Sequence, residues 1–274
     1  MANLTTYGSS FESFLFMLLK YNNAQGGFSI RKLRPDYTGY CMRVKNESGV
    51  THEVGFVDNM LDVADMLSFG GTDTLTVVIW YNQVDGGIFF SSSTALNEPI
   101  IVNSGVLNTR EGLPALRFNN ASLVTGGFGI TDTRSTFVTF DNSGAPLSSY
   151  HGVYLYVTST NQLTNFQQLY LSGGYIKSNY PTNSLDQTAY THTDNVSQIV
   201  AQIKYPTGAN YYKNNLTTTP VVGVQNLTDR LWLGSVVNAN PMNGNVQEVL
   251  VFSDDKTTDV SNIITDTNDY FNKF

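Results

Sequence analysis

An all-β sandwich with a few short peripheral helices is the fold class this sequence predicts, and three observations predict it. From Leu75 onward, apolar and β-branched runs alternate with clusters of Gly, Asn, Pro and Asp, as strands alternate with turns. Helical periodicity is confined to short stretches near Ser9, Met60 and Val260. Hydrophobic residues make up 41% and aromatic residues 12% of the 274, which suffices for one large core, whereas charged residues are only 14%. The expected organisation is a helical arm over residues 1–27 and one sandwich domain over 28–274.

The first element is a helix. Ser9 and Glu12 have capping-box spacing, and Phe11, Phe14, Leu15, Leu18 and Leu19 fall on one stripe. Such a stripe has to be buried, either on the parent sandwich or on a neighbouring subunit as an attachment arm. Next, Tyr40, Met42 and Val44 alternate with Cys41, Arg43 and Lys45, which predicts a strand with one buried face. Asp58 is placed to cap a helix lined by Met60, Leu61, Val63, Ala64 and Leu67, and Gly70-Gly71 to stop it.

Strands are expected over Leu75 to Tyr81, with Leu75, Val77 and Ile79 toward the core, and over Gly152 to Thr158, Gln198 to Tyr205, Leu231 to Gly234 and Val246 to Phe252. Val260, Ile263, Ile264, Thr267 and Phe271 have the spacing of a terminal helix from about 257 to 272. Between Asn165 and Asn195, Tyr170, Tyr175, Tyr180 and Tyr190 stand among Gln167, Gln168, Asn179, Asn183 and Asp186, a stretch rich in loop formers. Aromatic faces beside amides and a carboxylate suit a sugar ring and its hydroxyls. They equally suit a subunit interface, or plain loop packing.

Several motifs follow one another in fixed order: Phe28-Ser29-Ile30-Arg31-Lys32-Leu33, Tyr37-Thr38-Gly39, Met42-Arg43-Val44-Lys45, Val54-Gly55-Phe56 and Trp80-Tyr81-Asn82-Gln83. Together they resemble the N-terminal part of the arabinofuranosidase-B-like module, a concanavalin A-like jelly roll that recurs in structural proteins of tailed bacteriophages. Toward the other end, Val200-Ala201-Gln202-Ile203, Tyr211 to Asn215, Leu231-Trp232-Leu233-Gly234 and Gly244 to Val249 resemble the closing half of laminin-G-like sandwiches. Asn82 stands where the resemblance implies Asp, and Val84-Asp85-Gly86-Gly87 replaces a Ser-Gly-rich continuation. The resemblance implies a jelly roll. It implies either a virion structural protein, a head decoration, head fibre or tail-associated subunit with a lectin-like surface, or a glycoside hydrolase acting on arabinofuranosyl-type polysaccharide.

A retaining glycosidase needs two carboxyl groups about 5 Å apart. Asp85, Glu98, Glu111, Asp186, Asp194, Glu248, Asp254 and Asp255 are the available acids, and none sits in a motif that assigns it a catalytic role, so no catalytic residue is named. His52, His151 and His192 lack zinc-site spacing. Asp254-Asp255 is open to two readings, a calcium-binding loop or helix-capping carboxylates, and no other cofactor is suggested. Cys41 has no partner for a disulfide and reads as a small strand residue.

Fifteen basic against 22 acidic residues give a formal charge of −7, which repels phosphate backbones and argues against nucleic acid as a partner. No apolar run reaches the roughly 18 residues of a membrane span. Phe14 to Leu19 lies behind Glu12 without a basic flank, so synthesis in a host cytoplasm without a signal peptide is expected, with the virion as final location. The expected partners are other virion subunits, host-surface or mucosal glycans, and further copies of the chain.

Overall fold

The computed structural model describes residues 16–84, 87–92, 98–129, 133–142, 151–157, 166–172, 175–180, 183–191, 196–205, 208–214, 216–217, 221–222, 230–234 and 242–271. The described chain enters through a one-turn helix, α1 (Met17–Lys20), and β1 (Ala24–Ser29). It then forms β2 (Met42–Lys45), β3 (Thr51–Val54), the small hairpin β4 (Phe56–Val57) and β5 (Met60–Leu61), and helix α2 (Val63–Gly70). β6 (Leu75–Tyr81), β7 (Phe89–Ser91), β8 (Ile100–Asn103), β9 (Val106–Leu107), β10 (Thr109–Arg110), β11 (Leu113–Pro114), β12 (Leu116–Asn119), β13 (Leu123–Thr125) and β14 (Arg134–Asn142) follow. The rest is β15 (His151–Val157), β16 (Phe166–Ser172), β17 (Tyr175–Tyr180), β18 (Asn183–Thr191), β19 (Gln198–Tyr205), β20 (Gly208–Lys213), β21 (Leu216–Thr217), β22 (Val221–Val222), β23 (Arg230–Leu233), β24 (Asn243–Phe252) and helix α3 (Val260–Phe271).

These strands make two antiparallel layers. In one, β1 and β12 lie end to end along one edge of β24, whose other edge pairs with β14, followed by β19 and β20. The other runs β3, β2, β6, β7, β13, β23, β15, β16, β17, β18. β8 joins the layers by pairing with β6 and with β12. This is the expected all-β jelly-roll sandwich with short peripheral helices.

Val138, Phe140, Val200, Val249 and Val251 of the first layer pack against Met42, Val44, Trp80, Phe90, Leu123 and Leu233 of the second. The first layer has a second apolar face. Phe137, Ile199, Ala201, Ile203, Leu250 and Phe252 are covered by Met17, Tyr21, Val260, Ile263 and Ile264 from α1 and α3. Strands buried on both sides lose the alternating pattern, which is why β14, β19 and β24 carry long unbroken runs of buried residues.

The N-terminal helix therefore meets its own domain where it is described. Leu18 packs on the outer cluster, the Tyr21 hydroxyl donates to Asp266 at 2.7 Å, and Leu19 is 62% exposed. Phe11, Phe14, Leu15 and the Ser9–Glu12 box lie outside the described residues, and β1 already begins at Ala24.

Four local expectations are corrected. Asp58 does not cap a helix: with Asn59 it forms the positive-φ turn between β4 and β5 (φ 48° and 64°), and Asp62 caps α2, accepting the Asp65 N–H at 3.0 Å. Tyr40 is 52% exposed while Cys41 is fully buried, its thiol pushed up by burial. Ile79 does not continue the buried set of Leu75 and Val77. The β2–β6 register passes from Arg43–Ile79 to Val44–Val77, so a bulge at Val78 turns Ile79 outward and Trp80 inward. The tyrosine-rich stretch is strand, in β16, β17 and β18, because its polar residues alternate with Leu169, Leu171 and Ile176 of the core.

Candidate functional site

The motifs that stand out in the sequence turn out to hold the chain together. Asn82 Oδ1 accepts the Gly27 N–H at 2.8 Å and the Val84 N–H at 3.0 Å, while its amide donates to Gln25 O at 2.9 Å. Gln83 accepts the Leu33 N–H at 2.7 Å and donates to Arg31 O at 2.8 Å and Ser29 O at 3.2 Å. Arg31 is fully buried, with Nε 2.8 Å and Nη2 2.9 Å from the two Glu248 oxygens, under the rings of Tyr270 and Phe271. Ser29 and Thr267 also donate to Glu248. Glu248 is thus buried beneath α3 and faces no groove.

The second layer offers a different surface. Along it, in register, run Glu53, Arg43, Ile79, Ser91, Val124, Trp232, Leu155, Gln168 and Asn179. The side chains described in this row, from Glu53 to Trp232, are each half-buried, whereas their strand neighbours Val54, Met42, Trp80, Phe90, Leu123 and Leu233 are buried in the core. The row therefore lies on the face opposite the core. With strands roughly 4.8 Å apart its length is on the order of 40 Å, enough for a chain-like ligand.

Aromatic and charged groups are distributed along this open face. Trp232 sits near its centre, half-buried, with its indole N–H turned away from solvent and without a hydrogen bond among the described residues. At one end Glu53 Oε1 accepts from the Tyr81 hydroxyl at 3.0 Å and from Arg43 Nε at 2.7 Å, with Tyr40 stacked obliquely 6.4 Å from Tyr81 and Phe89 across the ladder. Burial and the Glu53 hydrogen bond push the Tyr81 hydroxyl up to about 12. Beside them Glu98 is held by Lys45 at 2.6 Å and Thr76 at 2.5 Å. Arg230, two residues from Trp232 on the same side of β23, is exposed and makes no ion pair among the described residues.

The predicted contact residues are divided by this geometry. Tyr175 is 42% exposed and follows the alternation that puts Ile176 in the core, so it lies on the open face; Tyr170 falls in β16 between the buried Leu169 and Leu171. Tyr180 and Asn183 pair where β17 meets β18, Asp186 lies within β18, and Tyr190 pairs with Ile176 in the β17–β18 ladder. Sequence reasoning missed Trp232, Arg43, Glu53, Tyr81 and Arg230. The Leu231-Trp232-Leu233 triplet carried the signal, since a Trp between two core leucines has to point the other way.

The remaining acids serve locally. Asp254 binds Lys256 at 2.8 Å and Asn23 at 3.0 Å, Asp255 accepts the Thr257 N–H at 2.8 Å, and no group of three metal-ligating side chains forms among the described residues. Asp141 is buried against Arg110 at 3.0 Å and Asn245 at 3.0 Å, with Glu111 3.4 Å from the same guanidinium. His52 lies 2.8 Å from Asp65 and stacks on Phe69. Asp85, Asp194 and His192 lie outside the described residues, as does the side chain of His151.

No protein-family model matches the chain, and no curated protein matches it in sequence. Its fold is similar to that of a GH54 α-L-arabinofuranosidase soaked with a cyclic sulfate inhibitor, at TM-score 0.71 and 12% identity over 89% of this chain and 62% of that one. An arabinofuranosidase complexed with arabinofuranosyl-α-1,2-xylobiose is similar at TM-score 0.69 and 12% identity, with the same coverages. A Trypanosoma rangeli sialidase in complex with sialic acid is similar at TM-score 0.55 and 7% identity, over 71% of this chain and 32% of that one. The chain thus spans about 62% of the length of the arabinofuranosidases it resembles. At these identities the likeness is one of fold.

Proposed function

We propose that this protein is a carbohydrate-active sandwich that takes an arabinofuranosyl-type polysaccharide along its open face and hydrolyses it. The observation that carries the binding half is the register row itself, an open sheet surface with Trp232 at its centre and Tyr81, Phe89, Arg43 and Glu53 at one end. Aromatic faces stack on sugar rings, and the polar groups beside them meet hydroxyls. The hydrolytic half rests on the fold shared with arabinofuranosidases. Among the described residues the acids of this face are Glu53 and Glu98, each tied to a cation.

The deciding experiment pairs calorimetric binding of arabinoxylan oligosaccharides with detection of released arabinose. Binding and release are both expected, and Trp232→Ala should weaken binding at least tenfold. Binding without release would turn the reading into a lectin, and no binding would overturn it. That lectin is the second reading: a head or tail subunit of a tailed-phage virion, attached to neighbouring subunits and holding a glycan. The Asn82 and Gln83 side chains favour it, because they serve as a structural clamp, while Arg43 and Tyr81 of the neighbouring motifs stay on the face a lectin would use. Proteomics of washed particles tests it, and absence of the chain would reject it.

A further inference from the structure

Charge is unevenly distributed over this molecule, and the open face has the minority sign. The whole chain carries a formal −7. On the open face, however, the described cations are Arg43, Lys45 and Arg230 against the acids Glu53 and Glu98. Glu53 and Glu98 neutralise Arg43 and Lys45, so Arg230 is the described cation left to meet a ligand, on the same side of the same strand as Trp232.

From this juxtaposition we propose that the open face is selective for an acidic glycan, an arabinofuranosyl-type polysaccharide bearing uronate carboxylates. The ring of one sugar stacks on Trp232 while the carboxylate of a neighbour or side branch is held by Arg230. The guanidinium suits that task, because its planar fork meets both oxygens of a carboxylate. In a chain otherwise repulsive to anions, it also sets where along the surface an acidic polymer can settle.

The inference rests on the binding reading above and is separable from it. Two arabinoxylan oligosaccharides of equal backbone length, one neutral and one substituted with glucuronate, are titrated into the full chain at low and at moderate salt. The acidic one should bind about tenfold more tightly, as one charge-assisted pair implies, and most of that margin should vanish in 0.5 M salt. Arg230→Gln should abolish the margin between the two ligands, and Arg230→Lys should restore part of it. Equal affinities for the two ligands, or a margin that survives Arg230→Gln, would overturn the acidic selectivity while leaving the binding face intact. Failure of both ligands to bind would overturn the two together.

Discussion

Substituting Glu248 by Gln would leave the Arg31 guanidinium fully buried with a neutral partner. Removing one member of a buried pair costs about 3–5 kcal/mol, since the remaining charge keeps its desolvation penalty. A urea melt of Glu248→Gln should show that loss, and the double replacement Arg31→Met with Glu248→Leu should lose less. Gln83 makes a similar case with neutral groups. Gln83→Leu removes the acceptor of the Leu33 N–H and the Gln83 donor to the Arg31 carbonyl, while the Ser29 carbonyl keeps the Cys41 thiol at 3.3 Å; a buried group left unpaired costs about 1–3 kcal/mol. A destabilisation under about 1 kcal/mol would show that solvent reaches this clamp. Tyr81 gives a pH test. Its folded value of about 12 exceeds the unfolded 10.0, so its contribution is complete below pH 10 and fades as pH climbs through 12. Ultraviolet titration should find Tyr81 among several buried tyrosines that ionise late, and Glu53→Gln should bring one of these ionisations earlier.

At the scale of the element, strands were legible as apolar and β-branched runs bounded by turn residues, whether one face is dry, as in β6, or both, as in β19, whereas the positive-φ turn at Asp58-Asn59 was not. β6 and β19 fall on their expected limits, and β15, β23 and α3 within a few residues of theirs. What escaped was the bulge in β6, because a one-residue slip leaves no mark in composition while it exchanges the faces of everything beyond it. Leu75→Ala should therefore cost about 2–5 kcal/mol as a buried truncation, and Ile79→Ala clearly less. Equal losses in denaturant melts would contradict the bulge. The same slip hid the open face, since Trp232 and Arg43 become neighbours of one row only when registers across several strands are known. The N-terminal helix is testable as a unit. Deleting residues 1–21 removes Met17 and Tyr21 from the outer cluster, each worth roughly 1.5–3 kcal/mol, and thermal melting should drop by several degrees. An unchanged melt would make the helix an appendage for another subunit.

On the scale of the whole molecule, one strand holds the architecture. β24 pairs with β1, β12 and β14, so segments from opposite ends of the sequence meet on it, Gly27 opposite Leu250 and Phe28 opposite Val249. That closure has a temporal side. A ribosome adding roughly 5–20 residues per second delivers β24 about 10–40 s after β1. Throughout that interval β1, and β12 once it has been made, have an open edge where β24 will dock, and the apolar surface meant for the first layer stays wet. Contacts so distant in sequence also close slowly, which places refolding of the finished chain in the millisecond-to-second range or beyond. Newly made copies crowded together are then at their most adhesive just before β24 arrives, and holdase chaperones should bind nascent chains ending short of Phe252 and release those that extend past it.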